Sequence, residues 1–316
     1  MIILLGPDST GKTTLAKRLV VRGLTYYHFT KDSGYNDYIP PLCNLDMTNA
    51  VLDRHAICEY PYSICMKRPF KFSIKQYHNI MTMTLIQNPL IILCTHKPVP
   101  SSYDANQYLP YEKWDECLSH YVEFLTTNHI PYTEYDFLTA GSKYIDHIFN
   151  IHTRFNVQMD WWREQWKAGY GCAGSPTPRY LLVAERIGPN NIHNIPFETG
   201  PTGLMLSSML METKTPLGVL AITNMVKSFR RDSRDVNDHD LELFEQELTH
   251  LNPKKVIFMG SVAKKGIALA KAHGCEVGKI VHLGNLNYRG VTDMSTYNND
   301  WAKHINLVPS VSFKEV

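Results

Sequence analysis

An α/β protein of two units is the fold this sequence predicts, and three observations predict it. The chain opens with an apolar run, Ile2–Leu5, that passes through a glycine loop into a helical pattern. Strand-like and helix-like stretches then alternate through residues 1–153, the pattern of a parallel sheet with helices on both faces. Beyond Gly169–Pro178, a stretch rich in glycine and proline, a second strand–helix series begins.

Composition narrows the class. The 316 residues suit two domains, at roughly 100–200 residues each, and each can bury a core without covalent staples. A hydrophobic content of 44%, 20% charged residues and a net charge of +2 describe a globular chain. They argue against a strongly cationic nucleic-acid binder and still allow a local basic patch. Seven scattered cysteines with no C-x-x-C pair argue against a disulfide framework or a cysteine-held metal and favour a reducing compartment. No apolar run is long enough to span a bilayer, and the N-terminal run lacks the basic lead of a secretory signal. The expected location is the cytoplasm.

The first stretch carries the most specific chemistry. Gly6-Pro7-Asp8-Ser9-Thr10-Gly11-Lys12-Thr13 matches G-x-x-x-x-G-K-[ST], placed between strand and helix as the pattern requires. Gly6 and Gly11 let the backbone turn its N–H groups toward an anion, and the following helix adds its positive end. Lys12 has the reach for β- and γ-phosphates, and the Thr13 hydroxyl suits Mg²⁺. The expected cofactors are ATP and Mg²⁺, bound by Gly6, Asp8, Ser9, Thr10, Gly11, Lys12, Thr13 and Thr14.

The helical pattern of Lys12–Gly23 closes on its glycine, and Thr25–Phe29 reads as a strand. Lys31–Cys43, with Gly34, Pro40 and Pro41, reads as a loop. Ala50–His55 is an apolar run ending in Asp53-Arg54, which puts both side chains at the carboxyl edge of the sheet, where open α/β folds bind ligands. Asp53 joins Thr13 as a candidate for Mg²⁺. Lys12, Asp53 and Arg54 are the candidate catalytic residues, with a surface ion pair as the alternative for the last two. Pro89–Cys94 is a buried strand, and Tyr111–Asn128 a helix that turns Tyr111, Trp114, Leu118, Tyr121, Val122 and Leu125 to the core. Ile130–Tyr135 is a strand and Lys143–Thr153 a closing helix.

GPDSTGKTT together with Leu52-Asp53-Arg54 resembles the thymidylate kinase group of P-loop deoxynucleoside monophosphate kinases. The resemblance covers roughly residues 1–150 of the first unit, which spans 1–153. It implies that Asp8 approaches the sugar hydroxyl of the acceptor nucleotide, and that Asp53 and Arg54 position the acceptor phosphate and the metal. Glu59 and Tyr62, in EYPYS, continue it. One part of that family has no counterpart: between Cys94 and Asn150 there is no arginine, so no arginine-bearing lid. Lys67, Arg68 and Lys97 are the cations left to meet charge that develops in the transition state.

Residues 154–178 break the alternation. Trp161, Trp162 and Trp166 suit docking of one domain on another or stacking on bases, and Gly169–Pro178 reads as a linker. Residues 179–316 form the second unit, with strands at Arg179–Ala184, Val219–Asn224, Lys254–Met259 and Lys279–His282 and helices at Leu204–Leu210, Asp238–Leu251 and Val262–His273. The tail from Tyr288 carries no signal.

This unit resembles the uracil-DNA glycosylase superfamily in its thermophilic-type branch. The matching pieces, in order, are Val183-Ala184-Glu185-Arg186-Ile187-Gly188, Pro196-Phe197 with Gly200 and Gly203, Ile222–Lys227, Pro253–Gly260 and Val281–Gly284. The resemblance implies a fold of that type and a pyrimidine pocket. Phe197 would stack on the base and Asn224 would read its edge, with Glu185 and His282 beside them. Ile187 replaces the family's proline, Asn190 and Asn191 stand where a water-activating carboxylate is expected, and of the His-Pro-Ser motif only His282 remains. The iron–sulfur cysteines are missing too. Base binding without glycosidic cleavage is the expectation. Lys227, Arg230, Arg231 and Arg234 form a basic run suited to DNA phosphates or to a solvated loop.

These readings add up to ATP- and Mg²⁺-dependent phosphoryl transfer to a deoxypyrimidine nucleotide. DNA is a further partner for the second unit, no membrane is involved, and a homodimer is compatible. The pairing of the two resemblances points to viral nucleotide metabolism in a host cytoplasm. Two alternatives stay open. One is a kinase acting on a modified pyrimidine of the 5-hydroxymethyluracil type in DNA. The other is a nucleotide-gated binder of uracil-containing DNA, or an active glycosylase.

Overall fold

A computed structural model describes residues 1–43, 47, 49–103, 107–158, 164, 170, 172–188, 196–197, 201–227, 235–284 and 294–305. They fall into two compact units, one from the described residues of Met1–Ser73 and Gln87–Trp161, the other from those of Ile74–Ile86 and Trp162–Val311.

In the first unit, β1 (Ile2–Leu5), β2 (Thr25–His28), β3 (Ala50–Asp53), β4 (Leu90–Cys94) and β5 (Thr133–Tyr135) form a parallel sheet in the order β2-β3-β1-β4-β5. The centre falls to β1, which pairs Ile3 with Leu52 on one side and with Ile91 on the other. A central parallel strand is covered on both faces, so it must be an unbroken apolar run; all four β1 residues are buried. Edge strand β2 is mostly exposed. Around the sheet lie α1 (Lys12–Val20), α2 (Tyr35–Cys43), α3 (Glu59–Cys65), α5 (Trp114–Thr127) and α6 (Ser142–Gln158), while α4 (Ile74–Ile86) belongs to the second unit. Helix α1 lays Leu15, Ala16 and Leu19 on a core with Ile2, Leu4, Val51, Ile92 and Ile148, where each large side chain contributes about 1.5–3 kcal/mol. The chain leaves β1 toward β2 on one side and leaves β3 toward β4 on the other. The carboxyl ends of β1 and β3 therefore flank the topological switch point, where such sheets bind ligands.

The loop expected over Lys31–Cys43 is instead largely helix, since α2 runs through Pro40 and Pro41. Burial of Tyr38, Ile39 and Leu42 holds it, and the Asp37 carboxylate accepts the Gly34 N–H at its start (2.6 Å). Packing outweighs the proline penalty here.

In the second unit, β6 (Ala173–Gly174), β7 (Tyr180–Arg186), β8 (Leu220–Val226), β9 (Lys255–Met259) and β10 (Glu276–Ile280) form a mixed sheet in the order β10-β9-β7-β8-β6. Only β6 runs antiparallel, against Ala221 and Ile222. Within the stretch expected to be a linker, Gly169–Pro178, Ala173–Gly174 is instead a strand of this sheet. A Cβ on Gly174 would lie 2.3 Å from the Leu220 carbonyl oxygen, so glycine is what lets this segment join the sheet. Its helices are α7 (Pro201–Glu212), α8 (Asp238–Leu251), α9 (Ile267–Ala272) and α10 (Ser295–His304). Helix α4, unanticipated from sequence, packs on β6 and α7. The tail is not featureless either: α10 buries Trp301, whose indole N–H donates to Thr215 Oγ1 (2.9 Å). Strand β10 spans Glu276–Ile280 where Lys279–His282 was expected, which leaves His282 beyond the strand. Among the described residues no helix is long and apolar enough to cross a membrane.

Candidate active site

The chain turns at once where β1 ends: φ is +129° at Gly6, +61° at Ser9 and +84° at Gly11. A Cβ on Gly6 would lie 2.4 Å from the Cys94 carbonyl oxygen, so only glycine lets the loop pass over β4. Gly11 delivers the chain into α1 with no side-chain cap, at the helix end that presents N–H groups to an anion. The Lys12 ammonium is buried in the loop. It donates to the Gly6 carbonyl (2.8 Å), the Pro7 carbonyl and Thr10 Oγ1 (3.2 Å). Reaching a phosphate exchanges these neutral acceptors for anionic oxygens, so that both partners of each hydrogen bond carry charge.

Asp53 closes the cleft from β3. Its Oδ2 accepts from Thr13 Oγ1 (2.6 Å) and the Tyr26 hydroxyl (2.9 Å), with His28 Nδ1 at 3.4 Å. Burial, then the Asp53 charge, pushes the Tyr26 phenol up to about 12, so it stays a donor. The other oxygen, Oδ1, is buried with no hydrogen-bond partner. A hydroxyl and a carboxylate with an unpartnered oxygen are the hard donors that Mg²⁺ takes. Thr13 and Asp53 therefore fit that ion.

Arg54 follows in the left-handed region (φ +74°), its N–H bonded to the Leu4 carbonyl. Its guanidinium donates to Asp8 Oδ1 (2.8 Å), while Asp8 Oδ2 accepts the Leu109 N–H (3.1 Å) and Trp114 Nε1 donates to the Asp8 carbonyl (3.1 Å). Both Asp8 carboxylate oxygens hold a partner within the protein, and the contact to Arg54 fixes where its guanidinium lies. Burial opposes the Arg54 charge, the Asp8 carboxylate outweighs it, and the guanidinium pKa rises above its ordinary value.

Ser9, Thr10, Gly11, Lys12, Thr13, Thr14, Asp53 and Arg54 line one cleft of about 420 Å³ together with Gln107 and Phe137. Sequence reasoning missed those last two. The signal available was that Phe137 lies just past β5, at the same carboxyl edge. Its ring packs against Gly11 and meets His96 edge-on at 4.5 Å between centres.

Arg54 also lines a second pocket, with Phe29, Tyr38, His55, Glu59, Tyr62, Arg68, Lys71, Phe72 and Tyr108. Glu59 and Arg68 form a two-bond pair (2.5 and 2.8 Å), and Glu59 accepts the Lys71 N–H as well. Tyr108 stacks on Tyr62 at 6.0 Å and lies 5.9 Å from the Arg68 guanidinium. Burial drives His55 down to about 3, so it remains neutral. Of the cations considered for the lid role, Arg68 lines this pocket, Lys97 pairs with Asp115, and Lys67 is exposed.

In the second unit the register Ala184↔Asn224 sets Asn224 beside the end of β7. Asn224 is buried and its Nδ2 has no hydrogen-bond partner. Glu185 Oε1 accepts the N–H groups of Ser261 (3.0 Å) and Val262 (3.3 Å) and so fixes the turn after β9. Phe197 takes φ +62° and packs against the core cluster of the sheet, and His282 Nδ1 accepts the Gly284 N–H (3.0 Å). Lys227 is not a phosphate contact. It is 2% exposed, and its ammonium donates to Thr223 Oγ1 (2.9 Å) and to Glu247. Burial raises the Glu247 carboxyl pKa and the Lys227 charge pulls it partly back. Arg230, Arg231, Arg234, Asn190, Asn191, Gly200, Trp161, Trp162 and Trp166 lie outside the described residues.

No protein-family model and no curated protein matches the chain. Among solved structures it is similar to the crystal structure of YorR protein from Bacillus subtilis in complex with phosphorylated GDP. The identity is 18% and the TM-score 0.37, over 48% of this chain and 96% of that one.

Proposed function

We propose that this protein transfers the terminal phosphoryl group of ATP, with Mg²⁺, to a deoxypyrimidine nucleotide. One observation carries the reading: Thr13 and Asp53 meet at 2.6 Å beside the glycine loop, and Asp53 keeps a buried oxygen without a partner. Those two side chains would hold Mg²⁺, which supplies neutralisation of phosphate charge when bound. The loop N–H groups and Lys12 hold the donor phosphates. Arg54, aimed by Asp8, lines both the cleft and the aromatic pocket, as a residue that orients an acceptor phosphate must. Tyr62, Phe72 and Tyr108 give that pocket flat apolar faces for a base. Incubation with labelled ATP, Mg²⁺ and each deoxynucleoside monophosphate tests this. Label on a pyrimidine nucleotide is expected, and label on none of them defeats it.

A second reading rests on the unpartnered Asn224 amide, which has the donor and acceptor groups to read a pyrimidine edge. The second unit would then bind a pyrimidine in DNA, and the phosphoryl acceptor would be a modified base of the 5-hydroxymethyluracil type. Duplex DNA carrying that base, offered in the same assay, separates the two readings by where the label ends up. Label in neither, with uracil-DNA binding retained, leaves a nucleotide-gated binder. Asn224→Asp should weaken base binding by about tenfold or more, on the order of 1–3 kcal/mol, measured by equilibrium dialysis.

A further inference from the structure

Outside the phosphate-loop cleft, helix α3 ends at Cys65 and packs against α5, which carries Glu116 and His120. One ligand atom from each of the three lies within 4.8 Å of the others. Glu116 and His120 are four residues apart and so share a helix face; Cys65 comes from the facing helix.

The histidine is oriented for coordination. Its Nδ1 lies 3.0 Å from Glu123 Oε2, while its Nε2 faces Glu116 Oε1 at 4.0 Å, too far for a hydrogen bond. With the Nδ1 proton given to Glu123, the Nε2 lone pair is the one turned into the cluster. Metal-bound imidazoles are held in this way, by a carboxylate on the other nitrogen. Cys65 is buried. Metal–ligand bonds of about 2.0–2.3 Å set neighbouring donors roughly 3–4 Å apart around a tetrahedral ion, within reach of small side-chain rotations here. A sulfur, an imidazole and a carboxylate select a borderline transition ion, where Mg²⁺ and Ca²⁺ prefer oxygen alone.

We propose that Cys65, Glu116 and His120 bind a divalent transition metal, Zn²⁺ foremost, at a site separate from the Thr13–Asp53 pair. The absence of a C-x-x-C pair hid it, because its ligands come from two helices distant in sequence. The ion would tie α3, which carries Glu59 and Tyr62, to α5, whose Trp114 holds the Asp8 carbonyl.

Reduced, chelator-treated protein titrated with Co²⁺ should bind one equivalent and show a sulfur-to-cobalt charge-transfer band that Zn²⁺ abolishes. Cys65→Ser should lose the band. Glu116→Gln and His120→Asn, at less buried positions, should keep the wild-type circular dichroism and weaken binding by at least about tenfold, and Glu123→Gln by about tenfold. The proposal is overturned if the wild type gives no sulfur band. It also fails if the band survives Cys65→Ser, or if affinity is unchanged in the folded Glu116→Gln/His120→Asn double variant.

Discussion

At the carboxyl ends of β1 and β3, charged side chains face a cleft; at those of β7 and β8, they face one another. Around the glycine loop, Lys12 rests on neutral carbonyls, Asp53 holds a buried oxygen without a partner, and Arg54 lines two pockets at once. Around Asn224, Lys227 and Glu247 neutralise each other across Thr223, and Glu185 is bonded to two backbone amides. The Asn224 amide beside them is uncharged, and its Nδ2 has no hydrogen-bond partner. The contrast separates an edge with charge left for an anion from one where the described charges are paired or bonded, and that difference underlies the two readings proposed above.

The buried pair in the second unit gives the largest test of this contrast. Lys227→Met leaves Glu247 without its counter-charge and should cost about 3–5 kcal/mol of stability. The double variant Lys227→Met/Glu247→Leu should recover most of it. Urea unfolding measures both, and on the reading that the second unit binds DNA the affinity should keep the same salt dependence throughout. A lowered salt slope in a folded Lys227 variant would return that lysine to the surface role read from sequence.

At the first edge, Lys12→Ala should lower the phosphoryl-transfer rate by about 10²–10³-fold with the fold intact, the scale of losing one electrostatic donor. Asp53→Asn should do comparable damage and raise the Mg²⁺ concentration needed for half-maximal rate. If Lys12→Ala leaves the rate untouched, the glycine loop is not the donor site and the comparison loses its first half.

How far these edges were legible depended on whether the signal was local. Gly6, Gly11, Lys12 and Thr13 are close in sequence and their placement follows from local backbone geometry, so it could be read directly. Asp53 and Arg54 were readable because an apolar run ended there. The Asp8–Arg54 bond was not, since it joins residues brought together only when β1 and β3 pair. Lys227 misled for the same reason: beside arginines in sequence it looks basic and exposed, whereas its strand carries it inward to Glu247 on α8. Pro40 and Pro41 argued for a loop that burial of Tyr38, Ile39 and Leu42 overrode. Alternation gave the parallel first sheet, but no local pattern marks a two-residue strand such as Ala173–Gly174.

A smaller effect probes the aiming group. Asp8→Asn removes the carboxylate charge that faces Arg54 while preserving shape. Because the Arg54 side chain is 29% exposed, water recovers part of the loss, so about 1–3 kcal/mol of stability should go. The KM for the acceptor should rise more than kcat falls. Equal effects on both would mean that Asp8 touches the reacting groups directly.

The gentlest test is acid, and it reaches one buried histidine in each unit. Burial lowers His55 to about 3 and His78 to about 4, against an ordinary value of 6.5. Between those limits the unfolded chain takes up protons that the folded chain refuses, so stability falls as pH drops below about 6.5, by roughly 1.4 kcal/mol per pH unit for each histidine. His78→Leu deletes a ring whose Nε2 is buried without a partner, and it should remove one proton from the slope of urea midpoint against pH between about 6 and 5. His55→Asn should remove the other. A slope unchanged in either variant would mean that its ring takes up a proton in the folded state, and water would then have to reach a position the packing closes.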